Sequence, residues 1–239
     1  CQILETPRIN LWSDVATQQC SRGELVSTLL DLCFVYDFVF LFNNFDLTPS
    51  PGTFAFELNV RNDILGIGDV VVGEETFDLG AEFGSPKRLA SFVNMGSLSA
   101  YPDDPRQQIP LIGENNTLSV MTHEAGHRWG VYTQFRDLAT GQVSDAVLGR
   151  DLAHWSFFFN SQGSVIEGSD ILDKGPGASP RFLTRTPVVR FGEFDQYIMG
   201  LRAPEEVASS FLVEFCDLVD GVSHKLAESL GVCLASGIA

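Results

Sequence analysis

The chain has 239 residues, 44% of them hydrophobic and 19 of them Phe, which is material for a sizeable core and not for a solvated tail. Its 31 acidic residues against 15 basic ones give a formal charge of −16, and no basic patch with interleaved aromatics occurs, which argues against nucleic acid and anionic membranes as partners. No apolar run reaches the ~18 residues of a spanning helix.

In chain order, residues 22–33 (RGELVSTLLDLC) place Leu25, Leu29, Leu30 and Leu32 on or near one helical face. FVYDFVFLFNNF, from residue 34, is β-branched and aromatic and predicts a buried strand. After the turn TPSPG, TFAFELNV (53–60) alternates as a strand does. NDILGIGDVVVG predicts short strands bent at paired glycines, RLASFVNMG a further strand, and YPDDPRQQIP a surface loop. Helical spacing then runs from 117 to about 135, with Asn116 or Thr117 to cap it.

Beyond residue 140 the texture changes. HWSFFF is a short apolar run, GSVIEGSDILDKGPGASPRF is turn-rich, EFDQYIMGL is a compact segment ending at Gly200, and a helix is expected from Pro204. The expected organisation is an N-terminal lobe (1–140) with sheet and helix and an irregular or helical C-terminal lobe (141–239), with a cleft between them. The cysteines, Cys1, Cys20, Cys33, Cys216 and Cys233, form no CxxC pair, which excludes a zinc ribbon or a thioredoxin-type motif. Their grouping at the two ends predicts Cys20–Cys33 and Cys216–Cys233 disulfides. With an initial Cys in place of Met, it also predicts an exported protein with a trimmed N-terminus.

The segment VMTHEAGHRWGVY (120–132) carries the chemistry. Four residues apart on a helix, His123 and His127 share one face and can ligate one ion. Glu124 lies about 100° round, out of comfortable ligand reach but able to meet a water at that ion. Two neutral nitrogens for a zinc ion and a carboxylate to take a water proton are the parts of a hydrolytic site. Leu118, Val120 and Met121 give the helix an apolar side, and Trp129 is too large for a freely exposed face. Gly126 and Gly130 would each cost a helix about 1 kcal/mol relative to Ala, which predicts close approach by another segment.

HEAGH with Gly130 three residues on resembles the active-site helix of the zincin metallopeptidases, and HEAGHRWG is similar to the HExxHxxG start of the metzincin branch. The resemblance is strong over about fifteen residues and extends loosely to the strand-rich region before the helix. It implies a zincin-like α+β fold with a mixed twisted sheet, His123 and His127 as zinc ligands, and Glu124 as general base. DQYIMG resembles the methionine turn of metzincins, with Met199 in that role. The whole arrangement also resembles that of poorly described secreted bacterial proteins with predicted peptidase activity.

The chain departs from the metzincin pattern where Thr133 stands in place of the third histidine, and Tyr197 precedes Met199 instead of following it. The third ligand must come from elsewhere. His154, in an apolar and aromatic run, is the first choice, because an imidazole there needs a hydrogen-bond partner or a metal. Asp195 would match an aspartate-liganded zincin, and Glu167 or Glu193 a glutamate-liganded one. Asp195 is alternatively an outer partner of His154. His224 reads as a solvent-facing residue. Tyr197 is assigned as the catalytic hydrogen-bond donor to the oxyanion, with Tyr132 as the other choice.

The expected function is that of a secreted, monomeric, zinc-dependent metalloendopeptidase acting on protein or peptide substrates. Two other readings stay open: a zincin-like binding or adhesion module without turnover, and a metal-dependent hydrolase of a non-peptide amide or ester. Retention of Glu124 favours an enzyme, since histidines alone would satisfy a structural metal.

Overall fold

A computed structural model of the protein describes residues 36–44 and 53–213, apart from 72, 84, 86, 139 and 186–189. The expected 22–33 helix, all five cysteines with their pairings, and His224 lie outside the described residues.

The main sheet has three strands in the order β1-β5-β2: β1 (Phe38–Asn43), β2 (Phe56–Asn59) and β5 (Ser91–Ser97). Central β5 runs parallel to β1 and antiparallel to β2, so the sheet is mixed. Short two-stranded ladders are the other sheets among the described residues. These are β3 (Arg61–Asn62) with β4 (Phe77–Asp78), β6 (Phe135–Arg136) with β7 (Val143–Ser144), and β8 (Ile171–Asp173) with β9 (Phe182–Thr184). With helices α1 (Thr117–Gly126) and α2 (Glu193–Ile198) the architecture is α+β, built from small sheets and few helices.

Period-two alternation in the strands feeds two apolar layers. Leu41, with Val39 beside it, joins Val60, Leu89 and Phe92 on one side of the sheet. Phe40 and Phe42 take the other side with Val93, Met95, Ile109 and Val120 of α1. That second layer fastens the motif helix to the sheet. A third cluster gathers Val131, Leu148, Trp155, Phe159, Val165 and Ile166, with Phe191 and Phe194 against it.

Three expectations change. The motif helix ends at Gly126, not near 135, because Gly130 takes φ +69 and the intervening residues turn instead of continuing. Of the described residues in 62–73, Asn62 belongs to the short β3 and Val71 forms an isolated bridge with Glu74, and the rest are turns, bends or irregular. From Pro204 there is a single 3-10 turn, Pro204–Glu206, and no longer helix. Among the described residues, no helix is long and apolar enough to cross a membrane.

Candidate metal centre

Helix α1 starts at a capping box. Asn116 Oδ1 accepts from the Ser119 N–H, and Ser119 Oγ accepts from the Asn116 N–H, both at 2.9 Å. The far end is tied to the sheet, where Asn59 Nδ2 on β2 donates to the His127 carbonyl at 3.3 Å. Beyond it, Trp129 stacks on Phe38 of β1 with ring centroids 5.8 Å apart. His123, Glu124 and His127 therefore sit on a helix end fixed at both sides.

Gly126 explains how the second half of the chain reaches this helix. A Cβ there would fall 2.6 Å from Ile166 Cδ1 and 3.0 Å from Phe191 Cε1. The missing side chain admits the 164–167 segment. Its Val165 carbonyl then lies 2.8 Å from His123 Nδ1, where it accepts from the imidazole N–H. His154 is placed by its neighbour. Trp155 is 2% exposed, and its indole N–H donates to Asp195 at 2.8 Å. His154, one residue earlier, holds its ring by donation from Nδ1 to the Arg150 carbonyl at 2.9 Å.

The three imidazoles converge. His123 Nε2 is 3.2 Å from His127 Nε2 and 3.3 Å from His154 Nε2. A tetrahedral ion with metal–nitrogen bonds of about 2.0–2.1 Å separates its ligand nitrogens by about 3.3–3.4 Å, so the spacing suits one ion. Carbonyl acceptors on Nδ1 of His123 and His154 fix the tautomer that leaves each Nε2 lone pair facing the cluster. Burial, then the neighbouring His154, lowers His123 from 6.5 to about 4, and burial lowers His127 further, so both are neutral at pH 7. The three histidines are close enough to bind a metal ion, and their chemistry fits one.

Glu124 is buried beside them. Burial raises its carboxyl from 4.5 to about 7 against the opposing pull of Arg150, which poises it to exchange a proton near neutral pH. The centre opens into a cleft of about 930 Å³ whose walls include Phe54 and Glu57 near β2, Tyr132, Arg150, Phe157 and Asp170.

Of the alternative ligands, Asp195 is buried but engaged with the Trp155 indole and the Gly192 N–H, so it supports His154 through Trp155 and not by touching its ring. Glu193 accepts from the Ala208 N–H at 2.8 Å, away from the cluster. Glu167 does reach the site: it pairs with Arg150, and its Oε1 is 3.8 Å from His154 Nε2. Tyr197 is not brought to the centre. It is exposed on α2, packs against Phe194, and lines a separate apolar groove with Thr133 and Phe135. Tyr132 is the tyrosine that lines the cleft. Met199 caps the C-terminus of α2, its N–H directed to the Asp195 and Tyr197 carbonyls.

Two functional neighbours were not legible from motif spacing. Arg150 places Nη2 2.9 Å from His154 Nε2. Glu57, the lone acid in an alternating strand, sits in the cleft wall and gives Glu124 a backbone hydrogen bond. Neither carried a sequence signal: Glu57 falls between the apolar positions Phe54, Phe56, Leu58 and Val60, in phase with the alternation, where a solvent-facing residue is expected. Compared with family models, curated proteins and solved structures, the chain finds no match.

Proposed function

We propose that the chain is a zincin-type, zinc-dependent metallopeptidase, exported from the cell, that hydrolyses peptide bonds of protein or peptide substrates. The observation that carries this reading is the convergence of three neutral imidazole nitrogens, 3.2–3.3 Å apart along two edges, next to a buried carboxyl poised near pH 7.

His123, His127 and His154 would hold the ion. Bound there, zinc supplies a Lewis acid that polarises a carbonyl and makes a water acidic near neutral pH. Glu124 takes the proton from the attacking water and returns it to the leaving amine, for which a carboxyl near 7 is suited in both directions. Its backbone partner Glu57 holds that carboxyl in place at the wall of the cleft.

Elemental analysis together with a casein or quenched-peptide assay at neutral pH tests the proposal. Glu124→Gln is expected to retain about one zinc per chain and to lose turnover on the order of a hundredfold or more. Replacing His123 and His127 by Ala should abolish both. Zinc content unchanged by the histidine replacements, or full activity in Glu124→Gln, refutes it.

A further inference from the structure

We propose that Arg150 is a catalytic residue of this site, its guanidinium donating to the substrate carbonyl oxygen and stabilising the negative charge that oxygen gains in the reaction. The inference rests on the peptidase reading above and assigns the oxyanion role that Tyr197, being remote, does not fill.

The geometry is unusual for a surface arginine. Arg150 lines the cleft with its side chain 47% exposed, yet Nη2 stands 2.9 Å from the Nε2 of His154; an ion on that nitrogen would take its lone pair and leave this N–H for a substrate oxygen. Two carboxylates fix it there. Glu167 takes Nε and Nη2 as a fork, and Asp151 takes Nη1 at 2.9 Å. The backbone is bent to achieve this. Asp151, Leu152 and Glu167 all adopt left-handed φ of 57–59°, which costs a non-glycine residue on the order of 1 kcal/mol or more each. Such conformations persist only where the surroundings impose them, and two of these residues, Asp151 and Glu167, supply the carboxylates that hold the one guanidinium.

The histidines do not need this cation. His154 is already held by its Nδ1 bond to the Arg150 carbonyl and by the anchored Trp155. A positive charge beside imidazoles that must donate to an ion works against the ion. Arg150 also lies within electrostatic reach of Glu124. A fixed cation, a base and three ligand nitrogens thus share one centre, and what a cation can improve there is a developing oxyanion. As the water oxygen bonds to the carbonyl carbon, the carbonyl π pair moves to its oxygen, beside Arg150, and the water proton moves to Glu124. The C–N bond then breaks, the amine takes that proton, and the products are an acid and an amine.

Differential binding separates this role from a structural one. In a zinc-loaded Glu124→Gln background, calorimetry compares a plain peptide with a phosphinic peptide of the same sequence, whose tetrahedral anion mimics the charged oxygen. Adding Arg150→Ala should weaken the phosphinic peptide on the order of 100-fold and the plain peptide less than about threefold. In the active protein the same change should lower kcat on the order of 100-fold or more with KM within about threefold, and Arg150→Lys should recover part of it. Should Arg150→Ala lose its zinc, Arg150→Gln carries the same comparison with a neutral side chain of similar reach. Equal weakening of both peptides, weakening of neither, or an unchanged kcat overturns the assignment. Failure of the unmutated protein to load zinc or cleave any peptide is a different result and strikes the peptidase reading itself.

Discussion

Replacing Glu57 by Gln should make the protein more stable at alkaline pH and leave it nearly unchanged at pH 5. Glu57 pairs with Val93 across β2 and β5, and cross-strand partners share a face, so its side chain takes the α1 side of the sheet. Burial there pushes its carboxyl up from 4.5 to about 8. The Ser91 hydroxyl, donating to Oε1 at 2.5 Å, and the Arg128 charge pull the other way and do not prevail. Between those two values the folded protein keeps a proton that the unfolded chain has released. Stability attributable to Glu57 is therefore whole below about pH 4.5 and is lost as pH rises to about 8. Each pH unit in that window is worth about 1.4 kcal/mol, which bounds the loss at roughly 5 kcal/mol. Relaxation of the buried carboxylate brings a realistic figure nearer 2–3 kcal/mol. Gln keeps an acceptor for Ser91 and has no proton to lose. Urea unfolding of both proteins with a chelator present, at pH 5 and pH 8.5, measures the difference while most other titrations cancel between them. The variant should match wild type within about 1 kcal/mol at pH 5 and exceed it by about 2 kcal/mol or more at pH 8.5. A difference independent of pH would refute the reasoning, since it would mean that Glu57 ionises normally in the folded protein.

Two further outcomes are expected. Asp195→Ala strands the buried Trp155 indole N–H and the Gly192 N–H, which should cost about 2–4 kcal/mol in urea unfolding. Its zinc affinity should fall far less than that of His154→Ala, and the reverse order would return Asp195 to the role of ligand. In the chelated protein, histidine NMR signals of His123 and His127 should show no protonation midpoint between pH 8 and 5.5, because burial holds His123 near 4 and His127 lower. The unfolded chain accepts those protons near 6.5, so stability should fall as pH drops from there towards 4; a midpoint near 6.5 in the folded protein contradicts the burial argument.

The spacing of His123, Glu124 and His127 was decided by the sequence alone, because helical periodicity is local and four residues return the chain to the same face. The Asn116 cap and strands β1, β2 and β5 were readable for the same reason: capping chemistry and alternation depend on neighbours a few residues apart. The end of α1 was not, although its glycines were visible. Gly126 predicted close approach by another segment, and Ile166 and Phe191 make that approach; which segment comes, and that the helix stops there, was not local information. His154 was a choice among several residues, and what decided it is long-range. The Trp155 anchor on Asp195, 40 residues away, and the Val165 carbonyl, 42 residues from His123, bring that ring and that acceptor to the helix. Tyr197 and Arg150 show the limit most plainly. Tyr197 had a position in the motif order and faces another groove, while Arg150 belonged to no motif and lies 2.9 Å from a nitrogen of the histidine cluster. A side chain's place relative to a site on another segment depends on how turns and left-handed residues aim the backbone, and that aim is fixed by packing summed over the whole fold, which no local pattern encodes.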